Sequence, residues 1–469
     1  MPVLSDEQKK IKHLLNRVGF GETYPVYQRY LRQSLPETIR SVMQAARASK
    51  PFDVVAPPPD SKAWKAMSEL ERKQVYKDNR QQLRILNGAW AKRLRDQDVN
   101  LREKMTLFWH DHFACRNTNP RFVQQQNNIL RTHALGNFAD LLRAVAKDPA
   151  MLSFLNNQEN KKAHPNENFA RELLELFTLG TGHYTESDIK EAARAFTGWG
   201  FKPPGEFIFR KHQHDTGSKE FMKKKGNFEG DDILSIILEN PQTARFITGK
   251  LYRYLVSQES VNEAHVQQLA TRFYDSGYRI DSLVEAILHS DWFYDEQYRN
   301  NRIKSPIEWM TGLQKHLGVR YDTDALFFLQ RLFGHTLFYP PNVSGWPAGR
   351  AWIDSSSLAY RLKLPETILD SKAALNIQVQ ADGDVTTPNA QGGMKQLIQS
   401  PDLKTYLAAL NPAADASWIP DLSTYIVPPA LANAQQKRID SQISTAPSPA
   451  GKLQRACMLL TSLPEYQLC

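Results

Sequence analysis

The chain has 469 residues, of which 41% are hydrophobic and 23% charged, ordinary proportions for a globular protein that buries a substantial core. Its net charge of +9 is scattered, with one compact basic run at 223–225, so no nucleic-acid partner is expected. Three cysteines (Cys115, Cys457 and Cys469) match no zinc or redox spacing. The N-terminal stretch shows no visible signal peptide, and no apolar run of about 18 residues predicts a transmembrane helix.

The first part of the chain predicts successive helices. Residues 61–97 predict one long helix, because apolar residues repeat at helical spacing (Leu83, Leu86, Trp90 and Leu94). Asn100 followed by Glu103 resembles a capping box, with Asn in place of Ser or Thr, and would start the next helix. Asn119 is a candidate cap for a helix that has Pro120 as its first residue.

The pattern changes between residues 199 and 230, which are rich in Gly, Pro and Lys and include a β-like run at 206–210. This composition predicts an irregular excursion of about residues 200–230 that can hold a short β-hairpin. Helices are expected to resume at Asp231 and to continue to about residue 334.

The overall prediction is a mainly α fold with one large multi-helix domain over residues 1–370. Residues 371–469 are more polar and predict a partly ordered extension. Its amphipathic end, about 451–469, is expected to dock back on the main domain.

The segment FWHDHFAC (108–115) contains two histidines, and helical geometry separates them. At about 100° per residue, His112 shares an apolar face with Phe108 and Trp109, and His110 lies about 200° away. In a regular helix the two cannot bind one metal ion. Either they serve a metal or acid–base site, or His112 is a buried, hydrogen-bonded residue and His110 a boundary residue. A glutamate at position 172 or 175 is the expected partner of His112.

The segment NENFARELLELFTLG (166–180) places two glutamates on one helical stripe, since Glu172 and Glu175 lie about 60° apart. Paired glutamates can bind a metal ion or share a proton. The alternative is a solvated polar face on which Arg171 pairs with Glu167 or Glu175.

The segment HQHDTGSK (212–219) predicts a loop with several polar side chains close together. In extended backbone His212 and His214 share a side. With Asp215 and Lys219 they can bind a transition metal, or supply a base and an orienting carboxylate. The alternative is a hairpin tip with incidental polar residues.

The loop PPNVSGWPAGRAW (340–352) combines aromatic residues with Asn and Arg. Trp346 and Trp352, together with Asn342 and Arg350, can form a surface that binds sugars or anions. They can equally form a rigid loop that packs on the body of the protein.

These segments recur in the same order in a bacterial family of unestablished activity, and the chain resembles the DUF 1800 proteins. The resemblance covers about residues 10–365 and the final amphipathic segment. It rests on HLLNRVGFG (13–21), MTLFWHDHFA (105–114), NENFARELLELFTLGTGHYTESDIKEAARAFTGW (166–199), HDTGSK (214–219), KSPIEWM (304–310) and LFYPPNVSGWPAGRAWI (337–353).

Such proteins are often encoded beside the DUF 1501 family, whose members resemble alkaline phosphatases and sulfatases and often carry a twin-arginine signal. The resemblance therefore implies a place in the cell envelope or periplasm, with a DUF 1501-type protein as partner. Without export, a cytoplasmic location is the alternative.

One hypothesis is a metal-assisted hydrolase that acts on a cell-envelope polymer or its substituents. A divalent metal ion would be its cofactor, and the polar side chains of the shared segments would converge on one pocket. The candidate residues are His112, Glu172, Glu175, His214 and Asp215 for catalysis, His110 and His212 for the metal, and Lys219, Trp346 and Arg350 for the substrate.

The second hypothesis is a non-catalytic helical binding protein, or an accessory partner of a secreted phosphatase- or sulfatase-like protein. An acidic polysaccharide is the candidate ligand, held by the aromatic loop and a basic surface. The histidines and glutamates would then be internal hydrogen-bond partners. A Rossmann glycine fingerprint and a G-x-S-x-G elbow are both missing, which disfavours a dinucleotide oxidoreductase and a serine hydrolase.

Overall fold

Twenty α-helices dominate the part of the chain that the computed structural model describes, residues 4–56, 62, 66–202, 204–369, 398–399 and 418–469. The mainly α prediction is confirmed for these residues. The first ten helices are α1 Asp6–Val18, α2 Tyr24–Tyr30, α3 Leu35–Arg47, α4 Glu69–Asp96, α5 Leu101–His112, α6 Pro120–His133, α7 Phe138–Ala146, α8 Pro149–Phe154, α9 Asn168–Glu172 and α10 Glu186–Ala195. Helix α9 continues directly into a π-helical turn, Leu173–Thr178.

The other ten helices follow the irregular excursion. They are α11 Gly230–Glu239, α12 Pro241–Leu255, α13 Glu263–Asp275, α14 Ile280–Leu288, α15 Pro306–Leu317, α16 Thr323–Leu332, α17 Ser355–Leu369, α18 Ile419–Ile426, α19 Asn433–Ser444 and α20 Pro449–Thr461. None of the helices in the described ranges is both long and apolar enough to cross a membrane.

The excursion contains two β-hairpins rather than one. Strand β1 (Trp199–Lys202) pairs antiparallel with β2 (Glu206–Phe209), and β3 (Lys219–Phe221) pairs antiparallel with β4 (Lys224–Gly226). Met222 and Lys223 join β3 to β4, and both have positive φ angles of 47° and 65°. Two consecutive positive φ angles are typical of a type I′ turn, so the basic run forms a hairpin tip.

One helix start differs from the sequence prediction, and a second is confirmed with an incomplete cap. Helix α4 begins at Glu69 instead of residue 61, because Ser68 and Glu71 form a capping box there. Asn100 caps α5 by accepting a hydrogen bond from the Glu103 amide at 3.1 Å. The Glu103 side chain does not return to Asn100, since it is buried and bonded to Arg131. The predicted capping box is therefore only half formed.

The described C-terminal helices α18–α20 pack on the body and contribute to the same hydrophobic core as the rest of the chain. The Tyr425 hydroxyl donates to the Glu22 carbonyl at 2.6 Å, and the Lys304 amide donates to the Gln467 carbonyl at 2.8 Å. The predicted extension lies outside the described residues over 371–397 and 400–417. The domain division near residue 370 therefore stays a prediction. Arg320–Tyr321 (β5) pairs with 398–399 (β6).

Candidate functional site

Helix α5 carries the two histidines of the FWHDHFAC segment through the middle of the protein. Eleven of its twelve residues are buried, so α5 has no solvated face on which a boundary histidine could lie. His110 Nε2 accepts a hydrogen bond from the Phe338 amide at 3.1 Å, and its ring packs against Trp90 and Trp346. Burial lowers the His110 pKa to about 3, so this imidazole is neutral. The prediction of a boundary His110 is wrong.

His112 points inward as predicted, but its partners are a backbone carbonyl and a lysine. Its Nε2 lies 3.1 Å from the Phe177 carbonyl oxygen, and its Nδ1 lies 3.2 Å from Lys250 Nζ. An ammonium group can only donate, so Lys250 donates to Nδ1 and the Nε2–H donates to the carbonyl. Among its contacts there is no glutamate, and the expected contact with residue 172 or 175 is wrong.

The π-helical turn explains why these partners are needed. The Leu179 amide bonds to the Leu174 carbonyl at 2.9 Å, which is the spacing of a π-turn and ends the helix. Carbonyls at a helix C-terminus lack intrahelical partners. Lys250 donates to the Leu176 carbonyl at 3.1 Å, and His112 donates to the Phe177 carbonyl. The two side chains therefore cap this helix end, where a positive charge is also favourable.

Asp111 and Lys250 are two partly exposed ionisable groups near His112, and the charge of each affects the pKa of the other. Asp111 Oδ1 accepts a hydrogen bond from the Trp346 amide at 2.8 Å. Burial raises the Asp111 pKa to about 6, against the opposing effects of that hydrogen bond and the Lys250 charge. Burial also lowers the Lys250 pKa to about 8, although the Asp111 charge opposes this change. Both groups therefore titrate near neutral pH.

Glu172 and Glu175 lie on the partly exposed side of the same helix. Burial raises the Glu172 pKa, and the Glu175 charge adds to this effect. Glu175 accepts a hydrogen bond from the Tyr184 hydroxyl at 2.8 Å. Arg171 pairs with Glu167 and Glu186, not with Glu175. This arrangement agrees with the solvated polar face and leaves the pair without a histidine.

The HDTGSK loop is held together by its own side chains. Arg194 Nε donates to Asp215 Oδ2 at 2.7 Å, and Lys219 Nζ donates to the Asp215 carbonyl at 2.6 Å. His214 Nδ1 lies 3.0 Å from the Thr197 carbonyl oxygen, where it donates. His212 is exposed on the turn before it. This network fixes the hairpin region, and it brings neither histidine to His112.

The two predicted substrate residues of the 338–352 loop have different environments. Trp346 is buried between His110 and His335, with ring centroids 5.2 and 4.9 Å away. It is therefore unavailable as a sugar-stacking surface, and that prediction is wrong. Arg350 is exposed and pairs with Glu259 at 2.6 Å.

The predicted metal ligands do not fit a divalent ion. His110 is enclosed by aromatic rings, and His212 lies on an exposed turn. Over the described ranges, no three His, Cys, Asp or Glu side chains are close enough to hold an ion. Zinc sites in proteins usually take three or four such ligands.

An open groove of about 810 Å³ runs along one face of α6. Its lining includes Gln125, Thr132 and His133, whose side chains have no hydrogen-bond partner among the described residues. An extended segment at 50–56 lies along it, held by helix side chains: Gln124 Oε1 accepts from the Val54 and Val55 amides at 2.7 Å. The groove therefore combines a rigid wall with free amide, hydroxyl and imidazole groups.

Sequence reasoning missed Asp111 and Lys250 as groups that titrate near neutral pH. Asp111 lies between the two histidines of the FWHDHFAC segment, and a lone aspartate in a helix gives no sequence signal of a raised pKa. No sequence pattern marks Lys250 as a partner of His112, since it is an ordinary lysine in the amphipathic helix PQTARFITGKLYRYL.

Comparison with protein-family models gave one match, described as "Protein of unknown function (DUF1800)", over residues 13–468. Neither the curated proteins nor the solved structures gave a significant match. The match covers nearly the whole chain and includes every segment on which the resemblance was based. The chain therefore belongs to the DUF1800 family.

Proposed function

We propose that the protein is a non-catalytic helical binding protein whose ligand is an acidic envelope polysaccharide, and that it works beside a secreted phosphatase- or sulfatase-like partner. One observation carries this proposal: four of the five candidate catalytic side chains, all except Glu172, are engaged in internal hydrogen bonds. His112 caps a helix end, and His214 and Asp215 fasten a loop. Side chains of this kind stabilise a unique core and need no substrate.

The groove along α6 is the surface that best suits an extended polymer. Its free amide, hydroxyl and imidazole groups, on Gln125, Thr132 and His133, can exchange hydrogen bonds with sugar hydroxyls. Arg121 adds a positive charge to the lining, whereas Asp53 and Glu206 add negative ones. The charges of the lining do not by themselves favour an acidic polymer, and the preference rests on the net charge of +9 of the whole chain.

Affinity electrophoresis tests this binding with two probes, polygalacturonate as an acidic polymer and dextran as a neutral one. The wild-type protein should be retarded by polygalacturonate and much less by dextran. The double variant Gln125→Ala/Thr132→Ala should lose about tenfold in affinity, equivalent to about 1.4 kcal/mol. Gln267→Ala, an exposed substitution on α13, is the matched control. No retardation, or equal retardation of variant and control, would contradict the proposal.

A second candidate function is hydrolysis without a protein-bound metal, and the observation that favours it is that Asp111 and Lys250 both titrate near neutral pH. Asp111 would act as the base and Lys250 as the acid, because their pKa values are about 6 and about 8. Both side chains keep some solvent exposure.

Hydrolysis of p-nitrophenyl esters across a pH series tests this second candidate. Catalysis by the pair should give a bell-shaped profile with limbs near 6 and 8. Asp111→Asn should remove the acid limb. A rate no greater than the buffer rate would count against an enzyme of this class. A profile unchanged in Asp111→Asn would exclude Asp111 as the base.

A further inference from the structure

A cavity of about 640 Å³ lies between α1 and the C-terminal segment, well away from the FWHDHFAC segment. Its volume falls in the range of small-molecule sites in proteins, about 300–1,000 Å³. One wall is polar and carries Lys12 and His13. The apolar part of the lining is formed by the run Pro428–Leu431 and by Leu468.

Lys12 presents a buried amine to this cavity. It is 8% exposed, and its Nζ donates to the Thr424 and Val427 carbonyls, each at 2.6 Å. These two bonds use two of the three N–H donors of an ammonium group. Burial, and next the charge of Lys304, lower the Lys12 pKa to about 7. An anion beside it would favour the charged form.

His13 lines the same wall and has an unused hydrogen-bonding atom. The side chain is 4% exposed, and its Nε2 has no partner. Burial, and next the charges of Arg17 and Arg299, keep the His13 pKa well below its usual value, so the ring is neutral. Its ring also packs against Phe293, 4.8 Å between centroids. A buried, unsatisfied polar atom is costly, and a ligand hydroxyl would satisfy it.

The mouth of the cavity is mainly positive. Lys9 is exposed and has no charged partner among the described residues. Arg299 bonds through Nε to the Tyr294 carbonyl and lies 3.7 Å from Asp6. Glu296 is the single acidic residue in the described lining.

We propose that this cavity binds a small amphipathic anion, a hydroxylated organic acid with an apolar chain. Its acid group would lie near Lys9, Lys12 and Arg299. Its hydroxyl would donate to His13 Nε2, which is enclosed by protein in this structure and would have to become accessible from the cavity on binding. Its apolar chain would pack on Pro428–Leu431. This site is independent of the polysaccharide groove and does not rest on the proposed function.

Isothermal titration calorimetry tests the proposal with three ten-carbon probes: 3-hydroxydecanoate, decanoate and uncharged 1,3-decanediol. The wild-type protein should bind 3-hydroxydecanoate in a saturable 1:1 manner. Decanoate should bind several-fold more weakly, because it cannot donate to His13. The diol should bind at least about tenfold more weakly, because it lacks the charge.

The double variant Lys9→Gln/Arg299→Gln should lose about tenfold in affinity for both acids. Lys92→Gln/Arg80→Gln, an equal charge change on α4, should leave the affinity unchanged. His13→Phe should bring the two acids to equal affinity. If that variant does not fold, the wild-type preference for the hydroxy acid still decides the role of His13.

Three results would overturn the proposal: no saturable binding, equal affinity for the diol, or an equal loss in the control pair. The Lys9→Gln/Arg299→Gln variant should keep its retardation by polygalacturonate. Calorimetry therefore tests the cavity proposal and affinity electrophoresis tests the groove proposal, so the failure of one can be distinguished from the failure of the other.

Discussion

A single buried carboxylate, Glu308, contacts two buried cations and partly compensates their charge. Its Oε1 contacts both Lys104 Nζ and Arg302, and its Oε2 accepts from the Ser305 amide at 2.8 Å. These two cations, above all Arg302, hold the pKa of Glu308 well below its usual value in spite of burial. The same residue thus caps α15 and partly compensates charge in the core.

Glu308→Gln should therefore destabilise the fold by about 3–5 kcal/mol, the usual cost of leaving a buried charge unpaired. The measurement is the free energy of urea unfolding. Glu69→Gln is the matched control, since Glu69 pairs with Lys73 at 2.7 Å on an exposed helix face. That change should cost less than about 1 kcal/mol. Similar losses in both variants would show that Glu308 is not the compensating charge.

At the scale of single residues, the sequence predicts the direction of a side chain better than it predicts the residues that the side chain contacts. Helical phase correctly turned His112 inward, because local periodicity determines which way a side chain points. It could not identify Lys250 as its partner, since the two residues lie 138 positions apart and no local pattern links them. The pairing follows from the tertiary approach of α12 to the end of α9.

Among the elements, the SGWP turn (344–347) packs directly against Asp111 of α5. Gly345 has a φ of +86°, and a Cβ there would overlap Asp111 Oδ1 and lie 2.7 Å from the Asp111 carbonyl oxygen. The next amide, of Trp346, makes the hydrogen bond to Asp111. The glycine therefore permits the close approach on which the Asp111 environment depends.

Gly345→Ala should lower the free energy of unfolding more than Gly182→Ala does. Comparing the two variants separates the cost of steric overlap from the cost of backbone strain. Gly182 has the same φ of +86° and nothing within 4 Å of a Cβ. Both variants carry the strain of a positive φ, but only Gly345→Ala also adds overlap, expected to cost a further 1–3 kcal/mol or so. Urea unfolding of the two proteins measures the difference. Equal losses in the free energy of unfolding would mean that the turn can shift to accommodate the added methyl group.

The predicted elements are reliable where a local rule is strong enough to act alone. Thr185 and Asp188 form a complete capping box. The Glu103 side chain does not bond back to the Asn100 amide, because it forms a buried ion pair with Arg131. That ion pair is a stronger interaction than a single capping hydrogen bond. The π-helical turn at 173–178 has no sequence rule of comparable strength, and it was not predicted.

For the molecule as a whole, a set of buried neutral histidines determines the response to acid. Burial lowers the pKa of each below its usual value, to about 3 for His110 and His335. The set is His13, His110, His112, His316 and His335. In the unfolded chain these side chains bind protons below about pH 6.5. The unfolded state then holds more protons, so the free energy of unfolding falls as pH decreases.

Three largely buried carboxyl groups, together with the partly exposed Glu172, act in the opposite direction. Burial raises the pKa of Asp111 to about 6, of Glu22 to about 7 and of Asp148 to about 8. The folded state binds their protons more tightly, so they favour folding in acid. Near pH 5 or so the five histidines outnumber these four groups.

We therefore expect the free energy of urea unfolding to decrease from about pH 7 to about pH 5, by up to about 1.4 kcal/mol per pH unit for each net proton. Asp148→Asn should make this decrease steeper, because it removes one opposing group. A stability that stays level or rises towards pH 5 would show that the histidines are not held neutral.

The bonds from Lys12 to Thr424 and Val427 join positions 412 and 415 residues apart. During synthesis at about 5–20 residues per second, the first helix waits tens of seconds for these partners. Until then, one side of α1 stays exposed. A chain that ends anywhere before this segment would therefore lack the partners of Lys12 and leave its first helix incompletely packed.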